Sequence, residues 1–484
     1  MMGEQLPQDS LFSYQVNLEK RVPADHPLRR VRQAVDFWFV RGEVAHCYGH
    51  NGNESVAPEV ILKMMFLLFF EDIASERELM RTLPVRLDYL WFLGYGLDDP
   101  IPDHSVLSKA RRRWGREVFE RLFVQTVQQC VGAGLVDGQK IHLDSSLVTA
   151  HASNNSVVKG APALIAALKQ VYHVQEQKLD EPDAALVNAT VLSTTDPDAT
   201  VVRQGGGGPR ARYKNHRAVD DAHGVITAVL TTTGRVDEGQ QLPALIEQHQ
   251  QHTATAVRTA VADSKYGTVQ NYRHCQQRGI RTHMADLQTQ QGATGRRAGI
   301  FPESAFRYEA GRDTFVCPAG QRLSRHHWHA GRRLWEYRAR PGVCAGCALR
   351  AQCTRAKDGR SLKLHEAHEL VETARVQANS VAARRDRRRR QHLMERSFAD
   401  AANNHGFKRA RWRRLWRQQI QDWLIAAIQN VRILLAHPLR PVHTVAAALR
   451  APVSARWPGG TRLYCLRRMR LATGSASFTL LGRN

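Results

Sequence analysis

Residues 138–153 read GQKIHLDSSLVTAHAS, and the character of the chain changes at this stretch. The segment from Lys140 to Asp144 alternates polar and apolar residues, which predicts a β-strand, and the residues after it predict a polar turn. Before residue 138 the patterns are helical, and after it strand patterns alternate with helical ones. This order predicts an α/β fold with a mixed sheet flanked by helices, preceded by an all-helical N-terminal domain.

The N-terminal part carries several helix-start signals. Pro58 suits the first position of the helix EVILKMMFLLFF, and Ser75 with Glu78 has the spacing of a capping box. Asp103 suits the N-cap of HSVLSKARRRWG, a pattern typical of the last helix of a helix-turn-helix. A helical bundle with a solvated basic face is the alternative interpretation. The predicted DNA-contacting residues of this last helix are Lys109, Arg111, Arg112 and Arg113.

Beyond residue 200 the pattern predicts the rest of an α/β core. ARYKNHRAVDDAHGVITAVLTTTG reads as two strands joined at Asp221–Gly224, and AVRTAVADSKYG contains a strand that ends at Asp263. A Gly- and Arg-rich stretch follows, and the chain then becomes strongly helical as far as WLIAAIQNVRILL. The predicted domains are a helical DNA-binding domain (1–135), an α/β domain (138–435) with an insertion (285–365), and a basic, poorly ordered tail (436–484).

The charge of the chain indicates a partner dense in phosphate. Its 484 residues carry a formal net charge of +24, with a pI of about 10.2 and 43% apolar residues. The most apolar run, Ile61 to Phe70, is shorter than the roughly 20 residues that a spanning helix needs. The N-terminus has no signal-peptide pattern, and the eight cysteines do not form a disulfide framework. We therefore expect a cytoplasmic protein without a membrane partner.

Three carboxylates are the candidate catalytic residues. Asp144 and Asp263 each end an apolar strand, and ligands bind beyond the carboxyl ends of strands in open α/β sheets. Glu395 follows on a helix, where its apolar neighbours Met394 and Phe398 indicate a side chain that faces inward. Carboxylates gathered in this way need cations, and Mg²⁺ prefers oxygen ligands. We predict a site for Mg²⁺ or Mn²⁺, of the kind in which two ions support phosphoryl transfer.

The motifs around these acids resemble those of DDE-type transposases of bacterial insertion sequences. IHLDSSLVTAHAS resembles the first-aspartate motif, VADSKYG the second, and ERSFADAANNHGFKRAR with the helix ending QNVRILL the glutamate motif. PEVILKMMFLLFF through PDHSVLSKARRRWG resembles the family's N-terminal domain, and RYKNHRAVDDAHGVIT its second-strand region. The resemblance covers most of residues 55–435. It implies an RNase H-like catalytic core with an insertion before the glutamate.

The resemblance also implies the activity. Asp144, Asp263 and Glu395 would bind two divalent metal ions, and a metal-bound hydroxide would cut double-stranded DNA at the terminal inverted repeats of the element. The freed 3′-hydroxyl would then attack target DNA. Enzymes of this family are expected to work as homo-oligomers on paired DNA ends.

Two positions depart from the family pattern. The glutamate helix commonly carries a lysine seven residues after the glutamate, where this chain has Ala402, so that Lys408 or Arg396 would have to substitute. In the second motif, Lys265 stands where a small residue usually follows the Asp-Ser pair. These departures keep two alternatives open. One is a catalytically inactive, transposase-derived DNA-binding protein, and the other is a metal-dependent nuclease that cuts DNA without joining strands.

A cysteine cluster lies in the predicted insertion. Cys344 and Cys347 have the C-x-x-C spacing of a zinc knuckle, with Cys353 after them and Cys317 before them. Four thiolates would form a tetrahedral structural Zn²⁺ site, and a similar cluster occurs in related transposases. Four reduced cysteines without a metal is the other interpretation. Three histidines are alternative ligands: His326, His327 and His329.

Residues 381–417 contain 13 Arg or Lys and three acids. Arginine makes bidentate phosphate contacts, so such a run around a candidate metal ligand indicates a track for the DNA backbone. A solvated charged face is the alternative. Trp412 and Trp416 in this segment are expected to be buried rather than to stack on bases. The predicted DNA-contacting residues here are Arg387, Arg388, Arg389, Arg390, Arg396, Lys408 and Arg411.

Overall fold

The N-terminal part of the chain is helical, as its capping signals predict. The computed structural model describes residues 16–49, 55–153, 156–176, 191–203, 208–285 and 300–437. The predicted tail, 436–484, lies outside these residues except for its first two positions. The N-terminal helices are α1 (Leu18–Arg21), α2 (Pro27–Ala34), α3 (Phe39–Val44), α4 (Pro58–Phe70), α5 (Glu76–Thr82), α6 (Leu87–Leu93), α7 (Ser105–Trp114) and α8 (Glu117–Gly132).

The helix starts follow from local hydrogen bonds. Pro58 is the first residue of α4. The Ser75 hydroxyl accepts from the Glu78 N–H (3.1 Å) ahead of α5, and the Asp103 carboxylate accepts from the Ser105 N–H (2.8 Å) where α7 begins. Each bond satisfies a backbone donor that has no partner within its own helix, which fixes these boundaries.

A mixed sheet forms the centre of the following part. Its strands are β1 (Lys140–Thr149), β4 (Thr200–Val202), β5 (Arg210–Asp220), β6 (Ile226–Thr233), β7 (Thr259–Val261) and β8 (Arg281–His283), while β2 (Val157–Lys159) and β3 (Val191–Ser193) pair separately. β5 pairs with β1, β6 and β4 in antiparallel fashion, whereas β7 runs parallel to both β1 and β8. Strands therefore run β6-β5-β1-β7-β8 across the sheet, which is the mixed sheet expected of an RNase H-like core.

Helices flank this sheet, and a second sheet is inserted after β8. The helices are α9 (Pro162–Glu176), α10 (Leu242–Thr253), α11 (Val269–Gln277), α13 (His368–Asn379), α14 (Val381–Asn404) and α15 (Leu415–Ala436). The insertion contains β9 (Arg307–Glu309), β10 (Thr314–Val316), β11 (Arg322–His329), β12 (Leu334–Ala339), α12 (Arg350–Cys353) and β13 (Ser361–His365). The strands of the insertion form one antiparallel sheet in the order β13-β12-β11-β10-β9. No helix among the described residues is long and apolar enough to cross a membrane.

Helix α15 joins the N-terminal helices to the central sheet. It packs against α8 and α4 on one side and against β6 on the other, and residues from all these elements share one hydrophobic core. Its buried polar side chains complete the free edge of β6. Asn430 accepts from the Ile226 N–H (2.9 Å) and donates to the Ile226 carbonyl (2.8 Å), and Gln419 accepts from the Thr231 N–H (2.7 Å). These bonds replace the neighbouring strand that an edge strand lacks.

Candidate active site

Three carboxylates meet at one edge of the central sheet. β1 and β7 are parallel neighbours in which His142 pairs with Val261. Asp144 and Asp263 each lie two residues beyond this pair, so the strand register brings the two aspartates together. One oxygen each of Asp144, Asp263 and Glu238 lies within 4.8 Å of the other two. The structure thus brings together two of the three predicted acids and adds Glu238.

Glu238 reaches the cluster because of the direction of β6. β6 runs antiparallel to β5, which runs antiparallel to β1, so β6 and β1 point the same way and end at the same edge. A short 3₁₀ helix, Glu238–Gln241, follows β6 and is capped by Asp237, whose carboxylate accepts from the Gly239 N–H (2.9 Å). A Cβ atom on Gly239 would lie 2.7 Å from the Lys265 carbonyl oxygen. Glycine at this position therefore lets the turns that carry Glu238 and Asp263 approach each other.

Basic side chains surround the three acids. The Lys265 ammonium lies 2.6 Å from the Glu238 carboxylate, and Lys214 lies 4.0 Å from it. From the other side, the Arg390 guanidinium of α14 lies 2.8 Å from the Asp144 carboxylate. Ser145 donates its hydroxyl to Glu238. The cluster is thus partly neutralised by cations from three separate elements.

The pKa values of the cluster reflect burial and mutual repulsion. Burial raises the pKa of Asp144, and the nearby Asp263 and Glu238 add to this effect while Arg390 opposes it. Burial and the charge of Glu238 likewise raise the pKa of Asp263. Burial acts on Glu238 in the same direction, but the hydrogen bonds from Lys265 and Ser145 lower its pKa overall. Ionisation of the two aspartates is therefore unfavourable in the folded protein, and a further cation beside them would make it more favourable.

The chemistry of this donor set fits a divalent cation. Hard ions such as Mg²⁺ and Mn²⁺ take carboxylate oxygens and keep several waters, so they need few protein ligands. Asp144 is fixed within β1, Asp263 caps the short turn that follows β7, and Glu238 lies in a capped turn after β6. Asp144, Glu238 and Asp263 would be the residues that hold the ion.

Glu395 does not face this cluster, contrary to the sequence-based expectation of an inward side chain. It is exposed on α14, and its carboxylate accepts a hydrogen bond from Gln391 on the same helix (3.0 Å). The residue before Glu395, Met394, is buried. Because a helical turn takes about 3.6 residues, Glu395 is rotated by about 100° from Met394 and faces away from the core. The side chain that α14 sends to the cluster is Arg390, which lies five residues before Glu395.

The arginine run of α14 divides between the sheet and the solvent. Arg390 binds Asp144, Arg389 lies 2.6 Å from the Asp221 carboxylate, and Arg387 donates to the Ala378 carbonyl (2.6 Å). These contacts attach the helix to the sheet and to α13, so the run is not a uniform surface track. The exposed arginines of this helix include Arg384, Arg385, Arg388 and Arg396.

Two other predicted DNA contacts are enclosed in the protein. Arg111 is only 3% exposed, is paired with Glu76, and stacks on the Trp412 ring (3.9 Å). Arg411 lies 2.6 Å from Asp72 and donates to the Leu68 carbonyl. The predicted DNA contacts of Arg111 and Arg411 are therefore wrong for this structure, because both guanidinium groups are used to hold the N-terminal helices against the segment before α15. The exposed basic residues of α7 are Lys109, Arg112 and Arg113.

Lys408 lies beside the strand that carries Asp144. Its ammonium donates to the Ser146 hydroxyl (2.7 Å), and Ser146 shares a face of β1 with Asp144 because side chains alternate along a strand. The backbone around Lys408 is fixed to the end of β1, since the Thr149 N–H donates to the Lys408 carbonyl (2.9 Å) and the Ala410 N–H donates to the Thr149 carbonyl (2.8 Å). Of the two basic residues that sequence reasoning named as substitutes for a lysine at Ala402, Lys408 is the one with this contact.

Two family models match the chain. A transposase domain (DUF772) matches residues 16–113, which contain helices α1 to α6 and nearly all of α7, and a transposase DDE domain matches residues 316–435. The chain is a DDE-type transposase. The second match includes all of α14 and nearly all of α15, and hence both Arg390 and Glu395 of this transposase.

Comparison with solved structures gives a distant likeness. The transposase is similar to a piggyBac transposase whose structure was determined by cryo-EM as a synaptic complex with hairpin DNA. The two chains are 10% identical, the match covers 84% of this transposase and 72% of the other chain, and the TM-score is 0.32. The search of curated proteins finds no match.

The four clustered cysteines of the transposase lie at one end of the inserted sheet. Cys317 directly follows β10, Cys344 and Cys347 lie between β12 and α12, and Cys353 ends α12. All four are free thiols that are partly exposed, and all four line one cavity. The predicted alternative ligands His326, His327 and His329 lie along β11 and are not among the residues that line it.

Proposed function

We propose that this transposase uses Asp144, Glu238 and Asp263 to hold a divalent cation, Mg²⁺ or Mn²⁺, with which it cuts DNA at the ends of its element and joins them to target DNA. The observation that carries the proposal is the meeting of three carboxylates, one from β1 and two from the turns after β6 and β7, with oxygens within 4.8 Å of one another. Such an ion neutralises charge on the phosphoryl group and lowers the pKa of a bound water. Asp144 lies within a strand of the central sheet, and ligands on such elements are held more precisely than ligands on loops.

Lys265 has a role in this arrangement that the sequence pattern alone does not give. Its ammonium pairs with Glu238 rather than with either aspartate, and the side chain is still 59% exposed. Lys265 therefore neutralises Glu238 before a cation binds, and its exposed end can then pair with a DNA phosphate. This departure from the family pattern leaves all three carboxylates in place, which favours an active enzyme over a DNA-binding protein that has lost its activity.

Glu395 remains our predicted further ligand, carried over from the resemblance of its motif to the glutamate motif of the family. It lies on the same helix as Arg390, about 7.5 Å further along the axis at 1.5 Å per residue. Glu395 and Arg388 are both exposed on α14, which supports our proposal that this face of the helix meets DNA. We expect the Glu395 carboxylate to turn toward the metal centre when DNA occupies this face.

DNA contacts in the proposal come from exposed basic side chains. On α14 these are Arg384, Arg388 and Arg396, and beside β1 Lys408 would hold a phosphate next to Asp144. Such contacts position the duplex without reading its sequence. Lys109, Arg112 and Arg113 on α7 are then left to contact the bases of the terminal inverted repeats. Two DNA ends must be held at once for joining, so a homo-oligomer acting in the cytoplasm completes the proposal.

The experiment uses purified full-length protein, Mg²⁺, duplexes from the DNA that flanks the gene, and a supercoiled target plasmid. We expect cut ends and joined products, and we expect Asp144→Asn to lose both while it still binds the duplex. Cutting without joining would overturn the transposition step and leave a nuclease. Binding without cutting, in wild type as well as in Asp144→Asn, would leave a DNA-binding protein.

A further inference from the structure

The inserted sheet has a small hydrophobic core of its own. Its fully enclosed apolar side chains are few, and Cys317 and Cys353 pack at their margin. Small sheets of this kind need a disulfide, a metal or a partner to be stable, because they bury little apolar surface. The buried core residues are Phe306, Phe315, Leu323, Tyr337 and Leu362.

The turn after β10 presents the sulfur of Cys317 as a hydrogen-bond acceptor. The Cys317 N–H donates to the Gln321 carbonyl (2.9 Å), and the Gln321 N–H donates back to the Cys317 sulfur (3.2 Å). Gly320 closes the turn with its N–H on the Cys317 carbonyl (2.8 Å) and has a φ of +76°, which glycine adopts without strain. The hydrogen bond from the backbone fixes the position of the Cys317 sulfur in this turn, and cysteine binds metals through its sulfur.

The other three cysteines follow β12, which runs in the same direction as β10 and ends at the same end of the inserted sheet. Together with Cys317 they line a cavity of about 30 Å³. Gly359 makes room for them, because a Cβ at this residue would lie 2.8 Å from the Cys344 sulfur. Arg350 and Arg360 also line the cavity. Arg350 donates a hydrogen bond to the Cys344 carbonyl (3.2 Å).

We propose that Cys317, Cys344, Cys347 and Cys353 bind one structural zinc ion that joins the turn after β10 to the segment after β12. Four thiolates around Zn²⁺ form a tetrahedral site with a net charge of −2, which Arg350 and Arg360 offset. With Zn–S bonds of about 2.3 Å, the sulfurs of such a site lie about 3.8 Å apart. Among the described residues no three of these sulfurs lie within 4.8 Å of one another, so the thiols close around the ion by rotation of their side chains within the cavity.

The zinc ion would act on catalysis only through the position of the insertion. Tyr308 of the inserted sheet contacts His368 at the start of α13 with their rings 5.2 Å apart. α13 packs on β8 and leads into α14, the helix that carries Arg390 and Glu395. The cysteine site shares no residue with the carboxylate cluster. Zinc binding at the cysteines can therefore be tested whether or not the enzyme cuts DNA.

The test measures metal content and spectra of the full-length protein prepared in reducing buffer. We expect about one zinc per chain, and after replacement by Co²⁺ we expect the absorption bands of tetrahedral thiolate coordination. Cys344→Ser and Cys353→Ser should lose both signals, whereas the control Cys47→Ser, a partly exposed cysteine outside the insertion, should keep them. Less than a tenth of an equivalent of zinc in wild type, or an equal loss in Cys47→Ser, would overturn the proposal.

A second measurement covers the case in which the serine variants do not fold. Wild-type protein is alkylated under native conditions before and after treatment with a strong zinc chelator, and modified residues are identified by mass spectrometry. We expect Cys317, Cys344, Cys347 and Cys353 to become reactive only after chelation, because a coordinated thiolate is protected. Equal reactivity of these four residues before and after chelation would contradict the site.

Discussion

Asp263 is the residue at which the electrostatics of the carboxylate cluster is most simply measured. Its folded-state pKa is raised above the ordinary value of 3.8 by burial and by Glu238. The stability it contributes is therefore present at acid pH and is lost as the pH rises through the raised pKa. The Asp263 side chain also accepts a hydrogen bond from the Lys265 N–H (3.0 Å), which asparagine can keep.

We expect Asp263→Asn to raise the thermal midpoint of the metal-free protein at pH 7.5, with a difference that shrinks toward pH 4. The same variant should lose most of the stabilisation by Mg²⁺, which for a ligand at 100 times its Kd is about 2.7 kcal/mol. Asp103→Asn is the control, because hydrogen bonds from Ser105 lower the pKa of this exposed capping aspartate to about 2. Its effect should have the opposite sign at neutral pH. A lower midpoint for Asp263→Asn in EDTA at pH 7.5 would contradict the account.

Sequence reasoning placed two acids of the cluster and missed the third for a physical reason. The apolar residues before Asp144 and Asp263 locate both aspartates, but the predicted strand end and polar turn at Asp144 are wrong. β1 continues to Thr149, because residues 145–149 pair with β5. Glu238 follows β6 by a few residues in the turn-like segment VDEGQ, and only the antiparallel pairing of β5 with both of its neighbours brings it to the same edge. The signal that could have predicted Glu238 was an acidic residue shortly after β6, a strand that runs in the same direction as β1.

At the scale of the element, α14 shows that a run of charged residues in the sequence does not by itself predict a uniformly charged surface. Its sequence predicts a basic helix correctly, but the helical rotation decides which arginines face the sheet. Arg390 and the still exposed Arg389 pair with Asp144 and Asp221, whereas Arg384 and Arg388 are exposed on the rest of the helix surface. The same rotation puts Glu395 on the outside, one residue away from the buried Met394.

We predict that the exposed arginines of α14 contribute to DNA affinity through phosphate contacts. Replacing Arg384 and Arg388 together with Ala should flatten the plot of log K against log[salt] by about 2 units, since each phosphate contact contributes about 0.9. Fluorescence anisotropy should show the same loss for terminal-repeat and random duplexes. The control replaces the exposed Lys20 and Arg21 of α1 and should leave the slope unchanged. An unchanged slope in the α14 variant would mean that these arginines are only solvated.

At the scale of the whole molecule, α15 connects the N-terminal helices with the central sheet. The sequence predicts that this apolar helix packs on the sheet, which the structure confirms. Its polar residues were not interpretable from pattern, because their partners are backbone groups of β6 more than 180 residues away. Trp416 is buried and Trp412 partly buried, as expected, and Trp412 also stacks with Arg111 of α7.

We expect Asn430→Leu to destabilise the entire described unit. The change leaves the N–H and the carbonyl of Ile226 buried and without these bonds, at a cost of about 1–3 kcal/mol for each group. Urea denaturation should show a lower midpoint for the N-terminal helices and the sheet together. Asn404→Leu, at an exposed asparagine of α14, is the matched control and should stay near wild type. Unfolding of the sheet alone, with the N-terminal helices unaffected, would show that α15 does not couple them.

The central claim is that the cluster of Asp144, Glu238 and Asp263 binds the catalytic cation directly, and metal rescue of cleavage tests it most directly. A cysteine in place of Asp263 presents a soft thiolate, which binds Mg²⁺ poorly and Mn²⁺ better. We predict that Asp263→Cys cuts terminal-repeat DNA about 100-fold more slowly than wild type in Mg²⁺ and recovers at least about tenfold in Mn²⁺. Asp263→Ala should stay inactive in both ions. Equal activity of the Cys and Ala variants in Mn²⁺, or full activity of either in Mg²⁺, would contradict direct binding of the cation at this cluster.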